Sequence, residues 1–155
     1  MRTGRSGAAY WGRVNMASAA EMRQQLAANR AAFREALSAT GGKWEQAAPD
    51  DEWTPQRLAE HAIGADVLMS TRCFEAMQAK PTDWERKPLE NLEAALTTLD
   101  AATAISDRAF RYVEDHDLLK MGTPATDTYA KNVGGILQNA IDHFAEHTAT
   151  LKKRA

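Results

Sequence analysis

The stretch Asp142-His143-Phe144-Ala145-Glu146-His147 lies within a long helical pattern that covers residues 131–153. Residues four apart on an α-helix stand one above the other on the same face, so His143 and His147 can bind one metal ion together. A catalytic zinc ion usually has three protein ligands and one open position. The pair therefore predicts a third ligand elsewhere in the chain.

Apolar residues recur at steps of three and four on both sides of this pair: Val133, Ile136, Leu137, Ala140, Phe144 and Leu151. This spacing predicts an amphipathic helix whose inner face carries both histidines, with N-cap candidates at Thr126 to Thr128. The same rhythm predicts three earlier helices, at residues 17–39, 55–80 and 89–115. In the first of them Arg23, Arg30 and Arg34 are expected on outer faces.

The second predicted helix supplies the third histidine. Thr54 is a good N-cap, Pro55 suits the first helical position, and Pro81 is expected to stop the helix after Lys80. The inner stripe reads Leu58, His61, Ala62, Ala65, Leu68, Met69 and Arg72. His61 is therefore expected among apolar residues, facing inward.

Four helical patterns without an alternating strand pattern predict an all-α four-helix bundle as one domain, residues 17–154. The second and third connections are long enough to allow a crossover. Residues 1–16 are interpreted as a disordered leader or as sequence upstream of a natural start at Met16. An organelle transit peptide is the alternative, since this segment contains three arginines and no acid.

Composition excludes several classes of function. The formal charge is −2 with both signs interspersed, which does not fit a nucleic-acid-binding surface. Cys73 is the only cysteine, so the fold needs no intramolecular disulfide and a reducing cytoplasm is the expected location. No apolar run is long enough to predict a membrane span.

Three inward histidines need an explanation, because burying an imidazole without a partner costs on the order of a few kcal/mol. Each could instead be hydrogen-bonded separately in the core. One divalent ion satisfies all three at once, so His61, His143 and His147 are predicted as metal ligands, and imidazoles suit zinc, nickel, iron and copper alike. His116, between two aspartates in a predicted loop, is expected to be exposed.

His143 to His147 also spells the H-x-x-E-H order of inverted zinc proteases, in which the glutamate is the general base. Those proteases need a further ligand well downstream, whereas only eight residues follow His147. Glu146 is therefore interpreted as a solvated acid or an acid that acts on the site indirectly. Asp142 and Glu60 are expected at the surface, with orienting a ligand histidine as the alternative. Cys73 is interpreted as a packing residue.

Taken together, Trp53-Thr54-Pro55-x-x-x-Ala59-x-His61 at the start of the second helix and His143-x-x-x-His147 on the last one resemble the DinB superfamily of small metal-binding four-helix bundles. The resemblance covers residues 16–154. It implies that His61, His143 and His147 are the metal ligands and that water takes an open position. Departures from the pattern are the N-terminal extension and the Gly134-Gly135 pair.

The resemblance implies a usually bacterial and often dimeric enzyme that uses zinc or nickel. Its expected function is detoxification by transfer of a low-molecular-weight thiol, such as bacillithiol, mycothiol or glutathione, to electrophilic small molecules. A metal-dependent hydrolase or isomerase of small molecules is an alternative. A non-catalytic, stress-related bundle that binds a small apolar ligand is another. No catalytic residue is assigned beyond the metal ligands.

Overall fold

The computed structural model describes residues 17–47, 53–122 and 131–154. These ranges hold four α-helices: α1 Ala19–Ser38, α2 Pro55–Ala76, α3 Leu92–Phe110 and α4 Val133–Lys152. Two short 3₁₀ segments, Gly41–Lys43 and Asp115–Leu119, follow α1 and α3, and the described part contains no β-strand. The predicted all-α four-helix bundle is confirmed. The predicted leader and Thr126 to Thr128 lie outside the described residues.

Side-chain caps define where the helices begin. The Thr54 hydroxyl accepts a hydrogen bond from the backbone N–H of Arg57, and Pro55 takes the first helical position, as predicted. α4 is capped by Asn132, whose side chain accepts from the N–H of Gly135. The prediction of an N-cap within Thr126 to Thr128 is therefore wrong, because Asn132 stands directly before the first helical residue.

The second helix ends four residues earlier than predicted. Gln78 has a φ of 60°, a left-handed conformation that an α-helix cannot continue through. The N–H of Ala79 donates to the carbonyl of Phe74, and that of Gln78 donates to the carbonyl of Glu75. This pattern is a Schellman motif, which ends α2 at Ala76 before Pro81 can act.

The third helix is shorter than predicted at both ends. It begins at Leu92 because the Asn91 side chain accepts from the N–H of Ala94 and caps it there. Leu89 is buried, but it belongs to the connection between α2 and α3. The helix ends at Phe110 rather than at Asp115.

Contacts near the two ends of each pair give the helix directions. Near the start of α2, Glu60 accepts a hydrogen bond from the N–H of Leu89, just before α3. Near the end of α2, the Cys73 thiol donates to the carbonyl of Ala109, near the end of α3. The two helices therefore run parallel. The Asn29 amide donates to the carbonyl of Ile141. Ring contact between Phe33 and Phe144, one turn further along both helices, shows that α1 and α4 also run parallel.

The two parallel pairs run in opposite directions. α1 and α3 are antiparallel, since Arg34 pairs with Asp100 while Arg23 binds the carbonyl of Val113. The bundle is therefore up-down-down-up, and its crossover is the connection of residues 77–91 between α2 and α3. Of the two connections for which a crossover was allowed, only this one crosses over.

One hydrophobic core lies between the four helices, with Phe33, Phe110 and Phe144 among its largest fully buried side chains. α2 contacts both α3 and α4, so it buries a wide arc that includes Ala59 and Ile63. Leu68, predicted to face inward, is 48% exposed. No helix in the described ranges is both long and apolar enough to cross a membrane.

Arg30 is buried at 5% exposure, so the prediction that it lies on an outer face is wrong. Its Nη2 donates to Asp66 on α2 at 3.1 Å and to the hydroxyl of Ser106 on α3 at 2.6 Å. Burial is tolerated because these partners supply an opposite charge and hydrogen bonds. The sequence pattern did not single out Asp66.

Candidate metal centre

Three histidines meet at one end of the bundle. His61 lies in the second turn of α2, while His143 and His147 lie in the last part of α4. Because α2 and α4 run antiparallel, the start of one helix lies beside the end of the other. Nε2 of His143 is 3.1 Å from Nε2 of His61 and 3.0 Å from Nε2 of His147. The ligand atoms of all three lie within 4.8 Å of one another.

These separations fit shared ligation of one ion. Two nitrogens bound to zinc at about 2.0–2.1 Å lie about 2.9 Å apart at a right angle and about 3.3 Å apart at the tetrahedral angle. A ring nitrogen of a neutral imidazole has one in-plane position, which is either an N–H or a lone pair. Nε2 of His143 therefore cannot hydrogen-bond fully to both neighbours, whereas one cation can accept a lone pair from each ring.

The site is more open than the sequence predicted. His147 is buried at 8% exposure and His143 is half-buried, as expected of inward residues, but His61 is exposed. The prediction that His61 lies buried among apolar residues is wrong. The face of α2 that packs into the core is the adjacent one, which includes Ala62 and Ile63. His61 therefore lies at the edge of the bundle, where a small molecule can approach.

All three imidazoles are held in the neutral form that metal binding requires. Burial, with smaller effects from His147 and His61, lowers the pKa of His143 from 6.5 to about 4. Burial is also the main cause that lowers the pKa of His147 and of His61. Lone pairs are therefore available at neutral pH without competition from protons.

Electrostatic effects on His61 come from both signs of charge. Glu146 raises the pKa of His61, while Arg86 and Arg57 lower it, all by less than burial does. Glu146 is exposed, in agreement with its interpretation as a solvated acid. The charges that act on the site are thus one acid and two arginines, which leaves a small excess of positive charge.

Trp53 connects the histidine site with the end of the chain. Its ring meets His61 edge-on with centroids 5.1 Å apart, and the guanidinium of Arg57 lies 4.6 Å from its ring centroid. Nε of Arg154 donates to the Trp53 carbonyl at 3.0 Å, and Nη1 donates to the carbonyl of Thr150 on α4. Arg154 therefore fastens the start of α2 to the end of α4, the two segments that carry the histidines.

Asp142 and Glu60 do not orient a ligand histidine: within the described part of the chain, neither forms a hydrogen bond to one. Asp142 is exposed and accepts from the amide of Gln138. Glu60 accepts from the backbone N–H of Leu89 at 3.2 Å. Nδ1 of His147 is buried with no hydrogen-bond partner among the described residues, and the ring meets those of His61 and His143 edge-on.

The other two candidates lie away from the histidines. Cys73 is fully buried, its thiol donates to the carbonyl of Ala109, and burial raises its pKa to about 12. It is a packing residue, as predicted, and cannot supply a thiolate. His116 is exposed between Glu114 and Asp117, also as predicted.

Comparison of the chain with protein-family models, with curated proteins and with solved structures finds no match.

Proposed function

We propose that the protein is a metal-dependent enzyme of the DinB type that transfers a low-molecular-weight thiol to electrophilic small molecules. The observation that carries the proposal is the convergence of three neutral imidazole nitrogens at an accessible edge of the bundle. A divalent cation held there, zinc or nickel, would lower the pKa of a bound thiol, so that the nucleophilic thiolate forms at neutral pH. A cytoplasmic location, expected from the single cysteine, and a dimer, implied by the resemblance, belong to the same proposal.

The residues around the site support a nucleophile that comes from solution. Cys73 is buried with a pKa raised to about 12, so the sulfur has to come from a small thiol. His61 leaves the site open on one side, and Trp53 offers an aromatic surface beside it. Arg57 and Arg86 favour a negatively charged reactant over a positively charged one.

Elemental analysis of the purified protein tests the metal site directly. We expect one equivalent of zinc or nickel in the wild type. His143→Ala should lower the affinity by more than about a hundredfold, because even changes beside a ligand cost 10- to 100-fold. His116→Ala is the matched control, since it removes an exposed histidine outside the site. Wild-type protein without metal, or His143→Ala with full occupancy, would contradict the proposal.

Turnover distinguishes the transferase from the alternatives. The metal-loaded protein is mixed with bacillithiol, mycothiol or glutathione and a set of electrophiles, and loss of free thiol is followed. Thiol consumption that His143→Ala abolishes and His116→Ala preserves is the expected result. Turnover without thiol would favour the hydrolase or isomerase. Ligand binding that survives replacement of all three histidines would favour the non-catalytic module.

A further inference from the structure

Gly64 lies in the interior of α2, one turn after His61. Glycine destabilises a helix interior relative to alanine, so its presence there needs a local reason. A Cβ at this position would lie 2.8 Å from Nη2 of Arg86 and 3.5 Å from its Cζ. The missing side chain therefore lets the guanidinium of Arg86 rest against the helix.

The connection that carries Arg86 covers a cavity of about 370 Å³ beside α2. Its wall combines apolar and basic side chains: Ile63, Trp84, Arg86, Lys87, Pro88 and Leu89. Small-molecule sites are usually concave, mostly apolar and furnished with a few polar groups, at volumes of about 300–1,000 Å³. The cavity has the size and the lining of such a site.

Three hydrogen bonds fix one end of this connection. The Leu89 carbonyl accepts from the Gln56 amide at 2.8 Å and from the Trp44 indole N–H at 3.3 Å. The Leu89 N–H donates to Glu60, which is the acidic residue of the cavity wall. The roof of the cavity is therefore held to α2 and to the segment that follows α1.

The charges of the cavity favour an anion. Arg86 and Lys87 line it, and within the described ranges neither forms an ion pair with a carboxylate. The Glu60 carboxylate already accepts a hydrogen bond from the backbone. A guanidinium with free N–H groups is suited to bidentate binding of a carboxylate.

We propose that this cavity binds a small organic acid, with its carboxylate on Arg86 and its apolar or aromatic body against Trp84 and Leu89. Gly64 positions Arg86 by leaving room for the guanidinium. The cavity wall reaches within one helical turn of His61, so a bound acid lies close to the proposed metal centre. Binding itself does not depend on the metal or on the proposed transferase function.

Isothermal titration of the purified full-length protein with 3-phenylpropionate tests the proposal, with 3-phenylpropionamide as a probe of the same shape without the charge. We expect the acid to bind and the amide to bind at least about tenfold more weakly. Arg86→Gln should weaken binding of the acid by a similar factor, and Arg86→Lys by less. Arg111→Gln, an exposed arginine at the far end of α3, should leave it unchanged.

Gly64→Ala is a milder variant, because its Cβ shifts only the end of the flexible Arg86 side chain and removes no charge. Alanine favours the helix, so the variant should be at least as stable as the wild type, and its affinity for the acid should lie between that of the wild type and that of Arg86→Gln. Full affinity in Arg86→Gln would overturn the proposal, as would absence of binding to the wild type. Binding lost in His143→Ala but kept in Arg86→Gln would assign the acid to the metal centre instead.

Discussion

His143 stands between the other two histidines, with its Nε2 at 3.1 and 3.0 Å from theirs. The sequence predicted the alignment of His143 with His147, because a spacing of four fixes relative position on one helix. Exposure of His61 could not be predicted in the same way. It depends on which arc of α2 the neighbouring helices cover, and periodicity alone does not resolve one position from the next.

The pKa values of the individual histidines predict how the amount of bound metal depends on pH. Protons compete with the metal for the same lone pairs, and all three histidines have lowered pKa values, about 4 for His143. We expect metal to remain bound as the pH falls below 6.5 and to be released as it approaches 4. Equilibrium dialysis over a pH series with metal analysis measures this. Release centred at or above 6.5 would show that the histidines titrate normally.

The same pKa values predict how the stability of the metal-free protein depends on pH. Between pH 6.5 and 4 the unfolded chain binds protons at His143 that the folded chain does not bind. The free energy of unfolding should therefore decrease as the pH falls through this window. Urea unfolding after chelation, with His143→Gln as the control that removes the contribution of His143, checks the direction.

At the scale of elements, local signals predicted helix starts better than helix ends. Thr54 and Pro55 specify the start of α2 in the sequence and in the structure alike. The end of α2 depends on a left-handed Gln78, a residue type with no strong preference for that conformation. The proline that the sequence offered as a stop lies further on and did not decide the end.

The N-cap hydrogen bond of Thr54 should contribute to the stability of α2 and to metal affinity. Thr54→Ala removes the hydroxyl that accepts from the N–H of Arg57, at a cost of about 1 kcal/mol in the free energy of unfolding. Because His61 lies in the second turn of this helix, metal affinity should fall as well. Thr54→Ser keeps the hydroxyl and should stay close to the wild type in urea unfolding. Equal loss in both variants would show that the cap bond is not the cause.

At the scale of the whole molecule, one buried ion pair links three helices through the core. Arg30 on α1 reaches Asp66 on α2 and Ser106 on α3. Burial raises the pKa of Asp66, while Arg30 acts in the opposite direction. The arrangement holds the helices in one relative position, and it includes a buried Arg30 Nε without a hydrogen-bond partner among the described residues.

Replacing one partner of the ion pair should destabilise the protein more than replacing both partners. Arg30→Met leaves Asp66 buried without its partner, and we expect a loss of about 3–5 kcal/mol in the free energy of unfolding. The double variant Arg30→Met with Asp66→Leu should recover most of that loss, since apolar residues of similar size often replace buried ion pairs without penalty. Urea unfolding of both variants measures the difference. A double variant as unstable as the single one would show that the pair contributes net stability.

Local sequence specifies the helical class, the start of α2 and the alignment of His143 with His147, because each depends on interactions within a few residues along one helix. Packing between helices is what places His61 at an exposed edge of the site, buries Arg30 and brings Arg86 against Gly64. Those features depend on how antiparallel helices and a crossover connection bring distant residues together. The His143–His147 pair supplies two of the three histidines of the site, and the fold supplies the third, His61.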